Sequence, residues 1–460
     1  MSTGVALGTV AVRRQLFAAQ VLQLAAFSLD FARRHQGDAR ALDRQRDNLL
    51  QTMVACGQYA GDWMTASCIA LLLHDYMSKQ GRWQSWVAYL EKISVALDLA
   101  PVPVSPPSPS PDCTSSREEE RGTGVRGEVL RCLGNAYCGG SQWDAAIHAH
   151  RQALRSFQRA NDDSGAAHVL IDLVRAHWFR GEWDEAMRCY RSAASLARRL
   201  PDHDELLERL WNVRGLVHWR KGEWRQAKDC FRQSLRLCLD MGDSARGQAR
   251  VSSHLALVHT DLGDWDDAER CYQRALALSE QVGDVTGLAY TLNDLSDLRC
   301  RQGRWEEAHR CLERAHVLWQ QSEDPAGLAD YHEHLGRLYA NQGESGQARQ
   351  CLEQALTLWQ QLENPQKCLD IVTDLAMLDA RDGAFAAMRE RMSRAWLLAR
   401  QLGRRDAMVV LYRLEATAHR AAGRCWLARW AWLRALAVAL PAWRNDRMAG
   451  VIRSLLADGG

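Results

Sequence analysis

The sequence predicts an all-α solenoid, a stack of helix pairs preceded by a separate helical piece. Three observations carry this. One phrase, "GDWDDAERCYQRALALSEQVGD" (263–284), returns as "GEWDEAMRCYRSAASLARRL" from Gly181, "GEWRQAKDCFRQSLRLCLDMGD" from Gly222 and "GRWEEAHRCLERAHVLWQQSED" from Gly303. Its anchors, Trp143, Trp183, Trp224, Trp265, Trp305, Ser345, Phe385 and Cys425, follow at spacings of 40, 41, 41, 40, 40, 40 and 40 residues. A period of that size is the signature of a solenoid. Small residues also recur in the same frame: Ala186, Ala227, Ala268, Ala308 and Ala348 three after the anchor, and Ala193, Ser234, Ala275, Ala315 and Ala355 ten after it. Small side chains let helices approach closely, and stacking turns faces that one repeat could not bury into a continuous core.

Taken in order, residues 1–100 read as an N-terminal helical domain, with a Gly-x-Trp turn at Gly81–Trp83. Residues 101–123 read as a Pro/Ser-rich linker; the stretch from Ala100 to Gly124 holds six of the ten prolines and cannot bury enough apolar surface to fold. Residues 124–440 form about eight repeats, and 441–460 read as a capping helix. Within a repeat, Ala249–Leu262 is a first helix ended by Gly263, a residue suited to a left-handed C-cap. The second helix opens on Asp266 and Asp267, which complement the helix dipole. Asp284 then caps the next first helix, and "EDP" (323–325) and "ENP" (363–365) add proline in the first turn.

Composition excludes several classes. Lys plus Arg (58) nearly cancels Asp plus Glu (56), so there is no general pull toward nucleic acid or anionic membrane. The arginines of "MSTGVALGTVAVRRQLF" follow a short apolar run, the reverse of a secretory signal, and no apolar run approaches the roughly 18 residues of a membrane span. A cytoplasmic protein without membrane contact is expected. Five of the fourteen cysteines (Cys189, Cys230, Cys271, Cys311, Cys351) fall six residues after the anchor. Equivalent helices lie roughly 8–10 Å apart, too far for a ladder of disulfides, so these thiols read as packing residues.

The small residue of the first helix, the Gly-x-aromatic turn and the two small residues of the second helix resemble the tetratricopeptide repeat family over roughly Gly124–Leu440. The period and the "GD" between repeats look like its longer-helix branch, which includes kinesin light chain and the sensor halves of bacterial STAND ATPases. "LDRQRDNLL", followed by "GDW" and "GRW", looks like the segment that joins the ATPase part of STAND proteins to their repeats, but no GxxxxGK[ST] loop is present. The resemblance implies a right-handed superhelix whose first helices line a concave groove.

No catalytic set assembles: "YHEHLGRLY" and "HAH" space their histidines two apart, and neither a GxSxG elbow nor a dinucleotide fingerprint occurs. His177, His218, His259 and His419 share the frame six before the anchor and read as packing residues rather than zinc ligands. No enzyme activity, metal or cofactor is expected. Counting back 15, 12, 8 and 5 residues from each anchor traces one helical stripe. On the groove implied by the resemblance, it supplies the candidate partner-binding residues Arg131, Asn135, Arg175, Trp178, Arg209, Asn212, Trp219, Arg250, Asn293, Asp297, Asp330 and Arg337. Asn212 and Asn293 resemble the asparagines with which kinesin-light-chain-like repeats hold a peptide backbone. The expected function is an adaptor or sensor for another protein or an extended peptide, in bacterial signalling or defence. The alternatives are a regulatory subunit of a separate protease or ATPase and a peptide-sensing transcriptional regulator; nucleic acid is not an expected partner, and the sequence leaves the oligomeric state open.

Overall fold

The computed structural model describes residues 2–36, 38–99, 114–180, 182–200, 204–242, 245–322 and 324–439. Every regular element among them is a helix. The first five are α1 (Ser2–Arg34), α2 (Ala39–Ala60), α3 (Trp63–Gln80), α4 (Trp83–Leu99) and α5 (Thr114–Gly139). Next come α6 (Trp143–Arg159), α7 (Asp163–Arg180), α8 (Trp183–Ala197), α9 (Asp204–Arg220) and α10 (Trp224–Asp240). They are followed by α11 (Ala245–Leu262), α12 (Trp265–Val282), α13 (Val285–Arg301), α14 (Trp305–Gln321) and α15 (Pro325–Gln342). The series ends with α16 (Ser345–Gln361), α17 (Pro365–Arg381), α18 (Phe385–Gln401), α19 (Arg405–Ala421) and α20 (Cys425–Ala439). Of the segment read as a linker, 114–123 belong to α5, and 101–113 lie outside the described residues, as does the cap helix read at 441–460.

By contact the chain divides into two compact units, Met1–Ala176 with Arg191–Pro201, and His177–Tyr190 with Asp202–Gly460. In the first, α1 packs on α2 and α3, and α4 packs on α5. Met53, Ile69, Leu73, Trp86 and Leu90 share one core with Val129, Leu133 and Ala149 of α5 and α6, so the N-terminal helices and the first repeat bury their faces together. Trp86 donates its Nε1–H to His74 Nδ1 at 3.0 Å, and Tyr76 its hydroxyl to Asp43 at 2.7 Å, which satisfies these polar tips inside the core. Within α1, Gln15–Arg34 is long and apolar enough by composition to cross a membrane, with a mean hydropathy of 1.2. Its Val21 and Ala25 are packed into this core.

In the second unit each first helix pairs with its second, and each second helix leans on the next first helix. The first helices α9, α11, α13, α15, α17 and α19 also touch one another directly in series. They therefore form the inner layer of the stack. The small residues that set this spacing are sealed: Ala227, Ala268, Ala308, Ala348, Ala275, Ala315, Ala355 and Ser234 are all at 0% exposure. Between Trp319 and α15 the approach is so close that a Cβ on Gly327 would lie 2.4 Å from the indole.

The turns behave as their chemistry requires. Gly263 takes φ +83, open to glycine at no steric cost. Asp284 accepts from Gly287 N–H, Asp324 from Ala326 and Gly327, and Asn364 from Lys367, each satisfying an orphaned amide at a helix start. The anchor tryptophans differ in burial: Trp143 is buried, Trp224 and Trp305 are half-buried, and Trp265 is 43% exposed. As the first residue of its helix, the anchor stands at the rim of the turn, and the alanine three residues on makes the tight contact.

Candidate functional site

The stripe along the first helices is where the sequence places partner binding. In the first unit, Arg131 pairs with Glu128 at 2.7 Å and with Asp172 at 3.5 Å. Asn135 donates to Asp172 at 3.4 Å and accepts from the exposed Arg175 at 2.7 Å. The buried Asp172 thus anchors the three predicted residues of this unit, two of them directly and Arg175 through Asn135.

In the second unit the stripe residues are mostly tied to a neighbouring repeat. Arg250 reaches Glu208 at 3.1 Å, His254 bonds Asn212 at 2.8 Å, and Trp219 donates its indole N–H to Asp261 at 2.8 Å. Further along, Arg301 bridges Asp297 (2.8 Å) and Asp261 (3.4 Å), and Lys367 bridges Asp330 (2.6 Å) and Glu333 (3.0 Å). Arg337 bridges Glu333 (2.9 Å) and Asp374 (2.8 Å). Arg220 extends from the end of α9 to Gln366 at the start of α17, at 2.9 Å, while its guanidinium sits 5.8 Å from the Trp178 ring. Arg209 is half-buried on α9.

These pairs set the protonation states of the layer. Burial, with Arg250 nearby, pushes His254 down to about 3, so its neutral ring donates Nδ1–H to Asn212. Burial works against the charge of Lys367, but Asp330 and Glu333 outweigh it and hold the ammonium above its ordinary value. Such inter-repeat bonds fix the spacing of the first helices, and they engage groups that would otherwise be offered to a ligand.

Three groups stand outside this pairing. Asn293 on α13 is at 0% exposure, and neither its amide nitrogen nor its oxygen has a partner. Its neighbour Asp294 is half-buried and forms no ion pair or hydrogen bond among the described residues. Burial first, then the like charges of Asp330 and Asp297, push its carboxyl well above the ordinary 3.8. The indole N–H of Trp178 is buried without an acceptor. Asp294, Glu208, His254, Asp261 and Lys367 were missed by the stripe count. "NDLSD" (293–297) carries a readable signal, two acids within one turn, but Asp294 falls one residue off the counted register.

The histidine frame has a structural explanation. His177 Nδ1 meets Glu182 at 2.6 Å, His218 meets Glu223 at 2.6 Å, and His259 meets Asp264 at 3.1 Å, each acid standing just before the anchor. The ring clamps the end of the first helix to the start of the second. At His259, Asp264 and Asp267 the potential ligand atoms gather within 4.8 Å, but the Lys228 ammonium already lies 3.1 Å from Asp264. The described cysteines are all free.

Two-helix repeats stacked through sealed alanines define a helical-repeat solenoid. A family profile described as tetratricopeptide repeat matches residues 126–199, 173–240, 206–281, 247–321 and 287–361, which together run from 126 to 361, just over half of the 460 residues. The chain belongs to the tetratricopeptide repeat family. Among solved structures it is similar to a Rap protein complexed with competence and sporulation factor (TM-score 0.55, 12% identity, 82% of this chain and 98% of that one). It is also similar to the Rap conjugation gene regulator of plasmid pLS20 in complex with the Phr* peptide (TM-score 0.53, 15% identity, 74% and 96%). At these identities the likeness concerns the fold. It does not show to which branch of the family the chain belongs. No curated protein sequence matches the chain.

Proposed function

We propose that this protein is a non-enzymatic receptor for an extended peptide or protein segment, held on the inner layer formed by the first helices of α9–α17. The observation that carries this reading is the contrast within one stripe. Its polar groups are almost all paired between repeats, whereas Asn293 and Trp178 keep unmet bonding capacity among the described residues. An amide that both donates and accepts suits a peptide group, and tryptophan concentrates binding energy. The two Rap structures similar in fold were each solved with a bound factor or peptide, which supports peptide binding here.

The test is binding of labelled random-sequence peptide pools to the full chain, followed by hydrogen exchange on the complex. Protection should rise along α9, α11, α13 and α15 and leave α10 and α12 unchanged. Protection confined to second helices, or no pool bound at all, would sink the proposal.

A further inference from the structure

The outer line of the last repeat departs from the pattern that the earlier repeats keep. One, five and eight residues after the anchor, every second helix from α6 to α18 carries a charged, polar or small residue, as Asp266, Arg270 and Gln273 do in α12. In α20 the same three places hold Trp426, Trp430 and Leu433, which are 72%, 57% and 50% exposed. Spacings of four and three keep them on one face of the helix. An apolar face of this kind marks an interaction site. Charge indicates what covers it. Residues 385–439 contain eleven arginines against three acids, Glu390, Asp406 and Glu415, a net of +8, while the whole chain is only +2. Within α20 there is no acid, and the exposed Arg429 and Arg434 flank the apolar line on its two sides. A second copy would bring the same arginines against this face. Residues 441–460 carry three arginines against two aspartates, so neither occupant supplies the missing negative charge.

We propose that the outer face of α20 docks on an anionic lipid bilayer, with Trp426, Trp430 and Leu433 entering the headgroup boundary and Arg429 and Arg434 reaching lipid phosphates. The amphipathic ring of tryptophan suits that depth, and arginine lays its stem along apolar surface while its head stays in the polar layer. The helix lies on the membrane rather than across it. Its 15 residues span about 22 Å, short of the roughly 30 Å hydrocarbon core, and its other face is buried through Ala428, Ala431, Ala435 and Ala439. A single-stranded nucleic acid would engage the arginines and the indoles but leave Leu433 without a partner. This face is distinct from the inner layer read as the peptide site.

The test is flotation of the full chain with vesicles of phosphatidylcholine alone and of phosphatidylcholine with one third phosphatidylglycerol. The anionic vesicles should bind about tenfold or more tightly, the expectation for two arginines at a charged surface. High salt should remove most of that preference. Trp426→Gln/Trp430→Gln, which restores the polar line of the other repeats, should weaken binding about tenfold. Arg429→Glu should cut the anionic preference about tenfold, and Arg232→Glu, the same charge change on the outer helix α10, should leave it intact. The substituted side chains are all exposed, so a melting curve on each variant separates loss of the face from loss of the fold.

Equal binding to the two kinds of vesicle, or an anionic preference that survives both the tryptophan and the Arg429→Glu substitutions, would overturn the membrane assignment. A single-stranded oligonucleotide bound more tightly than anionic vesicles, and released by the same substitutions, would overturn it in favour of nucleic acid. Absence of binding to either vesicle would overturn it too; sedimentation of the free protein then tells a second copy on this face from residues 441–460 laid over it.

Discussion

Replacing Asn293 by alanine should make this protein more stable. The amide is fully buried, and two polar groups lack partners, each costing about 1–3 kcal/mol relative to a satisfied one. Against that gain stands a cavity of a few tens of Å³, worth roughly 0.5–1 kcal/mol at about 24 cal/mol per Å³. Alanine also improves helix propensity by about 0.5 kcal/mol. The net expectation is a stabilisation of about 1.5–6 kcal/mol. Small residues suit this register: Ser253 holds it one repeat earlier, and Thr373 two repeats later satisfies its hydroxyl on Leu369 C=O at 2.8 Å. Urea denaturation followed by circular dichroism reads the midpoint, and hydrogen exchange along α13 assigns the gain to its site. A destabilised variant would refute the reasoning, because it would mean that the amide is satisfied in the folded protein. If the receptor reading holds, the stabilised variant should also bind peptide more weakly, the expected trade between stability and an unsatisfied site.

Substitutions at two further sites test the scaffold. Burial pushes Asp324 up to about 6 against the pull of its hydrogen bonds from Gly327, Tyr290 and Ala326. The folded state therefore binds more protons than the unfolded chain between the ordinary 3.8 and about 6, and stability falls as pH rises through that window. Asp324→Asn should stabilise above pH 6, with a gain that fades toward pH 4, because asparagine keeps the cap as Asn364 does one repeat on. Asp324→Ala should lose about 1 kcal/mol of capping in thermal melts. Asp379, at 0% exposure, is held by Arg349 and by Arg391 at 2.9 Å. Replacing both arginines by methionine strands a buried carboxylate and should cost about 3–5 kcal/mol in urea denaturation. Asp379→Ala should cost less, because the side chains of Arg349 and Arg391, 30% and 24% exposed, can turn toward water; equal costs would contradict the argument.

Much of the candidate site was legible in part. The stripe count found Arg131, Asn135, Asn212, Trp219, Arg250, Asp330 and Arg337 because a helix returns a residue to the same face every three or four positions. It could not find their partners. Glu208, His254, Asp261 and Lys367 lie on neighbouring repeats, and only the stacking angle decides which of them meet. Nor could it tell a paired arginine from a free one, so residues read as ligand contacts include several whose bonds hold repeat to repeat.

By itself the sequence determined the helix pairs, their caps, the sealed alanines and the inner face, because period, turn chemistry and side-chain size are local properties that each repeat states anew. Only the tertiary structure decided where the linker ends and α5 begins, that the N-terminal helices share a core with the first repeat, and that Asn293 is left unsatisfied. Those outcomes depend on distances between side chains far apart in the chain, and charge balance inside a low-dielectric layer is set by what surrounds a group, which no single repeat encodes.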